Sequence, residues 1–303
     1  MASRELLALL KWGAIGWADW RNSHPQVEPD LSQADLRGID LSQVDLSMAN
    51  LKKAYLAETS LSFANLKQSN LSKANLYEAD LSGADLSHAD LTDAYLIGAN
   101  LSYADLQGAT LRGSDLRQAN LDQANLSRAD LMGTDFRSAS LRQADFSDAN
   151  LMKADLTHAL LNAAIFNSAN LSCANLDRAD LISAYFSKAS LYRTTLAASQ
   201  MVNAFLVGAT LVEANFERSN LSWANLSRAN LTSAHAPKAN LHNANLSRAD
   251  LRKVNLQGAN LRGANLLQAN LEGANLFEAD LSLANLSQAN LRGTIMPDGR
   301  QHP

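Results

Sequence analysis

Side chains able to do chemistry are thinly spread through this 303-residue chain. The six histidines, His24, His88, His158, His235, His242 and His302, share no ligand spacing, and Cys173 is the single cysteine. A zinc site needs Cys or His recurring a few residues apart, and covalent catalysis needs a nucleophile held beside a base. Neither pattern occurs, nor does a glycine-rich phosphate loop. Carboxylates are the exception. Asp30, Asp35, Asp40 and Asp45 open the series, and between Lys73 and Arg112 no Lys or Arg interrupts Glu78, Asp80, Asp85, Asp90, Asp93 and Asp105. This acidic band reads either as a surface for a basic partner or as a solvated face. Asp115, Asp135 and Asp155 recur twenty residues apart, an oxygen-only set that a cation or the neighbouring Arg117 and Arg137 would have to neutralise. No catalytic, cofactor or metal residue is assigned.

What positions these groups is a period of five. From Leu31 to Met296 every fifth residue is Leu or Phe, with Met201, Ala236 and Met296 the only others, across 54 consecutive units of consensus A-(D/N)-L-x-x. Five residues advance a helix by a net rotation of about 140°, which scatters leucines around its surface. On one long strand the same step alternates faces. Within a unit, however, Ala34 and Leu36 lie two apart, so a short strand points both inward and Asp35 outward. The other two residues must turn a corner. Eleven of the fourteen glycines fall two places after the central residue, and Pro237 and Pro297 fall one place after it. Proline then glycine at the middle of a four-residue turn is the type II signature. The chain should therefore coil as strand, corner, strand, corner, each coil pairing with the next.

The string Ala259-Asn260-Leu261, repeated through Ala289-Asn290-Leu291, resembles the pentapeptide-repeat family, and the resemblance covers residues 31–296. It implies an all-β, right-handed quadrilateral β-helix with four units per coil and about thirteen coils. Members with a helix followed by a long uninterrupted repeat are abundant in cyanobacteria. The organisation read from the sequence is a capping helix and linker over 1–29, the β-helix over 30–296 and a short tail over 297–303. Residues 3–22 are expected to form one amphipathic helix, with Leu6, Leu10, Gly13, Trp17 and Trp20 at 3–4 spacing and Ser3 as N-cap. Laid over the first coil, it would cover the exposed strand edges there.

Net charge is −4, with residues 1–150 at −7 and residues 151–303 at +3, which gives neither a nucleic-acid nor a membrane signal. Lys11 interrupts the early apolar run, so no secretory signal or membrane span is expected. With one cysteine, placed at an exposed corner, a reducing compartment and hence the cytoplasm is the expected location.

Two stretches depart from the polar exterior. Phe146, Phe166 and Phe186 form an inward column, and on the outside of that side stand Ile165, Tyr185 and Phe205. Ile182, Val202 and Val207 flank them on the corners, with Leu160 on the next side. This reads either as a partner patch or as a ladder that only stabilises the sheet. Ala236 truncates an inward leucine and would open a cavity unless an inward neighbour compensates. From residue 215 onward the outward letter is mostly Asn, which can hydrogen-bond from coil to coil. The last coil is expected to be covered by the tail or by a second copy stacked end to end.

A repeat without a concave pocket is not expected to be an enzyme. The reading is a rigid protein-interaction or scaffold solenoid with an unknown protein partner. The family resemblance implies a second role, modulation or protection of DNA gyrase by mimicry of DNA. A third is a structural or stress-related solenoid without a dedicated partner.

Overall fold

A computed structural model describes residues 4–11 and 14–303. It divides into two compact units, Met1–Asn150 and Leu151–Pro303, although the five-residue register continues through Leu151 in the sequence. Within each unit the backbone coils as a right-handed four-sided β-helix. The residue before each central Leu or Phe pairs in parallel with the residue twenty further on, as in Asp45 with Asn65 and Tyr185 with Phe205. Leu46 donates its N–H to the Asn65 carbonyl at 2.7 Å, and Asn65 donates to the Val44 carbonyl at 3.0 Å. The central Leu and Phe and most of the preceding Ala are buried, so each coil closes around an apolar centre.

At each corner the residue three after the central one donates back to it, as Ala64 does to Leu61 at 3.0 Å. The second corner residue from Gln33 to Gly293 has φ between 51° and 69°, as a type II turn requires. Glycine marks only some of these corners. Most are Gln, Lys, Arg, Ser or Glu held in the left-handed region, which costs roughly 1–2 kcal/mol each for residues with a Cβ. Where a further coil of the same unit follows, the strain is set against a specific bond, such as Gln123 N–H to the Arg142 carbonyl at 2.8 Å. The first corner N–H is taken by the outward Asp or Asn two places earlier, as from Ser147 to Asp145 Oδ1 at 2.8 Å. Pro237 and Pro297 have no N–H to give, and the outward residues before them are His235 and Ile295 rather than Asp or Asn.

The described residues of the N-terminal segment form α1 (Arg4–Lys11) and α2 (Ala14–Ser23). Trp12 and Gly13 between them, and the expected N-cap Ser3, lie outside the described residues. Trp17 is buried and donates Nε1–H to the Asp45 carbonyl at 2.7 Å. That carbonyl faces the open end of the first coil, where an earlier coil would present a leucine N–H, as Leu46 does to Asn65. Arg21, also buried, reaches the Ser47 carbonyl at 3.2 Å, the Val27 carbonyl at 2.9 Å and Asp45 Oδ2 at 3.3 Å. The cap thus supplies side-chain donors where the ladder has none.

In the second unit the tail turns back. Ile295 pairs antiparallel with Gln301, Gly293 donates to the His302 carbonyl at 2.9 Å, and Met296 donates to the Arg300 carbonyl at 2.8 Å. This covers one side of the last coil, while Leu281, Leu286 and Leu291 stay half-buried. Ala236 remains buried, and the register places the larger Phe216, buried as well, at the same position one coil earlier. The Asn ladders form: Asn240 Nδ2 donates to Asn220 Oδ1 at 3.0 Å and Asn260 Nδ2 to Asn240 Oδ1 at 3.1 Å.

Arginines two places after an outward aspartate clamp it. Arg117 binds Asp115 at 2.8 and 2.7 Å, and Arg252 binds Asp250 at 2.8 and 2.6 Å. The hydrogen bond from its arginine holds each carboxyl below its ordinary 3.8, and for Asp35, clamped by Arg37, the value falls to about 2. A carboxyl whose folded pKa is lowered adds stability that is complete above its unfolded pKa and is lost as pH falls through the folded one. Thermal midpoints should therefore be insensitive to these pairs from neutral pH down to about 3.8 and fall between there and about 2. Circular dichroism melts across that range check this, and the same fall in an Asp115→Asn, Asp250→Asn, Asp35→Asn variant would assign it to other groups.

Candidate protein-contact surface

The six residues of the acidic band do not share a surface. Asp80 and Asp90 lie on different sides of the coil, Asp85 and Asp105 pair on a third, and Glu78 and Asp93 stand at two further corners. Asp80, Asp85, Asp90 and Asp105 each accept the N–H two residues on, at 3.1, 2.9, 2.9 and 3.0 Å. Asp93 lies 3.7 Å from Lys73. Most of the band is backbone support. Asp115 and Asp135 stack as expected, with Arg117 clamped to the first and 3.7 Å from the second, and Arg137 on the second at 2.6 Å. Asp155 opens a column in the second unit, pairing with Asn175. Among the described residues no group of three or more His, Cys, Asp or Glu could hold a metal ion. No described helix is long and apolar enough to cross a membrane.

The apolar set is brought together in the second unit. Phe166 and Phe186 stack inside with centroids 4.8 Å apart and planes at 5°, whereas Phe146 in the first unit meets Phe136 edge-on at 6.3 Å. On the outer face, Ile165 pairs with Tyr185 and Tyr185 with Phe205, whose rings stack at 4.9 Å and 4°. Tyr185 and Phe205 stay 39% and 38% exposed despite that stacking. Ile182 and Val202 succeed one another on one flanking corner, and Val207 sits on the other. Leu160 is the outlier: it faces the adjacent side, where Asp180 follows it one coil on.

Sequence reading missed the continuation of this face. Trp223, 60% exposed, stands on the corner beside the Ile182–Val202 column, edge-on to His242 at 6.0 Å. Trp223, His242, Arg262, Ser222, Asn240 and Asn260 line one shallow recess. A count in steps of twenty along the corner positions, rather than only along the outward letter, finds it. The same count finds a second aromatic group in the first unit, where Tyr55 and Tyr95 stand two coils apart on one side with Tyr77 on its corner, all exposed.

Fold and surface together define a non-globular repeat solenoid with a decorated polar exterior. The profile for Pentapeptide repeats (8 copies) matches in overlapping segments from residue 30 to residue 293, so the chain belongs to the pentapeptide-repeat family. No curated protein matches it. Among solved structures it is similar to HetL, a pentapeptide repeat protein involved in heterocyst differentiation regulation from the cyanobacterium Nostoc sp. strain PCC 7120. The identity is 30% over 94% of this chain and 98% of that one, with a TM-score of 0.21. A pentapeptide repeat protein from the Arabidopsis thaliana thylakoid lumen is 35% identical over 34% of this chain and 71% of its own, at a TM-score of 0.33. QnrB1, a plasmid-mediated fluoroquinolone resistance protein, is 20% identical over 74% and 88%, at 0.34.

Proposed function

We propose that the protein is a non-enzymatic interaction module whose second unit presents the Tyr185–Phe205 side to a protein partner. The observation that supports this is the exposed, stacked aromatic pair on a coil exterior that is otherwise mostly Asn, Asp, Ser and Thr. A rigid β-ladder holds both rings without side-chain ordering at the moment of contact, which lowers the cost of binding. Ile182 and Val202 widen the apolar area on one flank and Val207 on the other. Contiguous exposed apolar area of this kind marks contact sites on soluble proteins.

The Tyr185→Asn, Phe205→Asn double variant replaces both rings with the residue the repeat uses at Asn225 and Asn245 on the same column. It should keep the β-helix and lose about 1 kcal/mol, the worth of one aromatic pair. In affinity capture from native extract compared by mass spectrometry, proteins retained by the wild type should be absent from the variant. An unchanged capture profile with a lowered melt would leave the rings with a purely stabilising role.

A further inference from the structure

The side that carries Tyr185 and Phe205 has a charge character of its own. From Ile182 to Gln268 neither that side nor its two corners holds an Asp or Glu, while Lys188, Arg228 and Arg248 follow one another on one corner and Arg262 stands on the other. Two cations at the second corner position meet an acid one coil on, Lys73 with Asp93 at 3.7 Å and Arg193 with Glu213 at 2.8 Å, whereas Lys53 is followed by Lys73 and Arg218 by Lys238. Arg228 is followed one coil on by a second arginine, Arg248, which bonds Gln268 Oε1 at 2.9 Å. Among the described residues Lys188, Arg228 and Arg248 have no ion pair. Like charges on adjacent coils, at roughly 4.8 Å spacing, repel unless an anion lies between them.

We propose that this side binds an acidic polypeptide segment with aromatic or aliphatic side chains interspersed among its carboxylates. The assignment rests on the reading of the side as a protein-contact surface and names the chemistry of the partner. Apolar side chains of the segment pack on Tyr185, Phe205 and Val202, and its carboxylates meet Lys188, Arg228 and Arg248. Arg262, in the recess walled by Trp223 and His242, offers a further carboxylate position. Single-stranded nucleic acid would supply anions too, but it needs free ring faces for its bases. Tyr185 and Phe205 turn their faces to each other and their edges outward. Ring edges carry the positive rim of the quadrupole, which suits carboxylates.

The test uses the full chain and fluorescence anisotropy with three labelled probes: a random copolymer of glutamate and tyrosine, polyglutamate, and an oligothymidylate. The copolymer is expected to bind at least about tenfold more tightly than either other probe, with affinity falling as salt rises. The Tyr185→Asn, Phe205→Asn variant and the Arg228→Glu, Arg248→Glu variant should each melt as a folded β-helix and each weaken copolymer binding by about tenfold or more. Copolymer binding that survives charge reversal but not loss of the rings overturns the acidic partner and leaves the contact surface standing. Binding indifferent to the rings overturns the contact surface itself. Tighter binding of the oligothymidylate, or no binding of the copolymer, overturns the proposal.

Discussion

Phe186→Ala is expected to lower the unfolding free energy by about 3–5 kcal/mol. The ring is fully buried and lies 4.8 Å from Phe166 in a nearly parallel stack, so truncation removes both its own burial and one face of its neighbour's packing. The surrounding coils have little room to close the gap. Their spacing is fixed by ladder bonds such as Phe186 N–H to the Phe205 carbonyl at 2.7 Å and Tyr185 N–H to the Ala164 carbonyl at 2.9 Å. A rigid lining relaxes least around a cavity, which puts the cost at the upper end of the range. Phe186→Leu restores the commonest central residue and should lose far less. Urea unfolding followed by far-ultraviolet circular dichroism separates the two, and equal losses would mean that the column collapses to fill the space.

Ser233→Pro is expected to disrupt its corner at a cost of about 3 kcal/mol or more. Ser233 holds φ at 59°, where the proline ring demands about −65°, and its N–H donates to the Arg252 carbonyl at 2.9 Å. Thr232→Pro, one residue earlier, is the contrast. That position is the one Pro237 occupies in the next repeat, and it gives up the bonds from Thr232 N–H and Oγ1 to Asn230 Oδ1 at 3.0 and 2.7 Å but no backbone bond to a neighbouring coil. Ser233→Gly should be neutral or stabilising, since glycine takes a left-handed φ without the Cβ penalty. Thermal melts of the three variants should rank Gly highest and Ser233→Pro lowest. A Ser233→Pro protein as stable as Thr232→Pro would contradict the corner geometry.

These effects follow from features of unequal legibility in the sequence. The coil, its inward column and its corners are readable from the five-residue step, because only one backbone path keeps Leu and Ala inside at that period. Reading glycine as the marker of corners understated their geometry. Gln, Lys and Arg adopt the same φ, most of them with a bond to the next coil, as Gln123 N–H makes to the Arg142 carbonyl. The acidic band looked contiguous because its six acids lie close together in the text, whereas in space they are spread over three sides and two corners. Tyr185 and Phe205 were legible for the opposite reason: residues far apart in the chain become neighbours when counted by twenties. Trp223 escaped because corner letters vary freely and carry no consensus to depart from.

The outward Asp or Asn satisfies the corner N–H, and the backbone satisfies nearly everything else. The corner side chains are consequently relieved of any duty to the frame. Twenty residues of text always equal one rung, so a chemical group can be addressed to a chosen rung and edge by arithmetic alone. Within each unit the coil is therefore graduated like a ruler, on which new markings can be inscribed without redrawing the instrument.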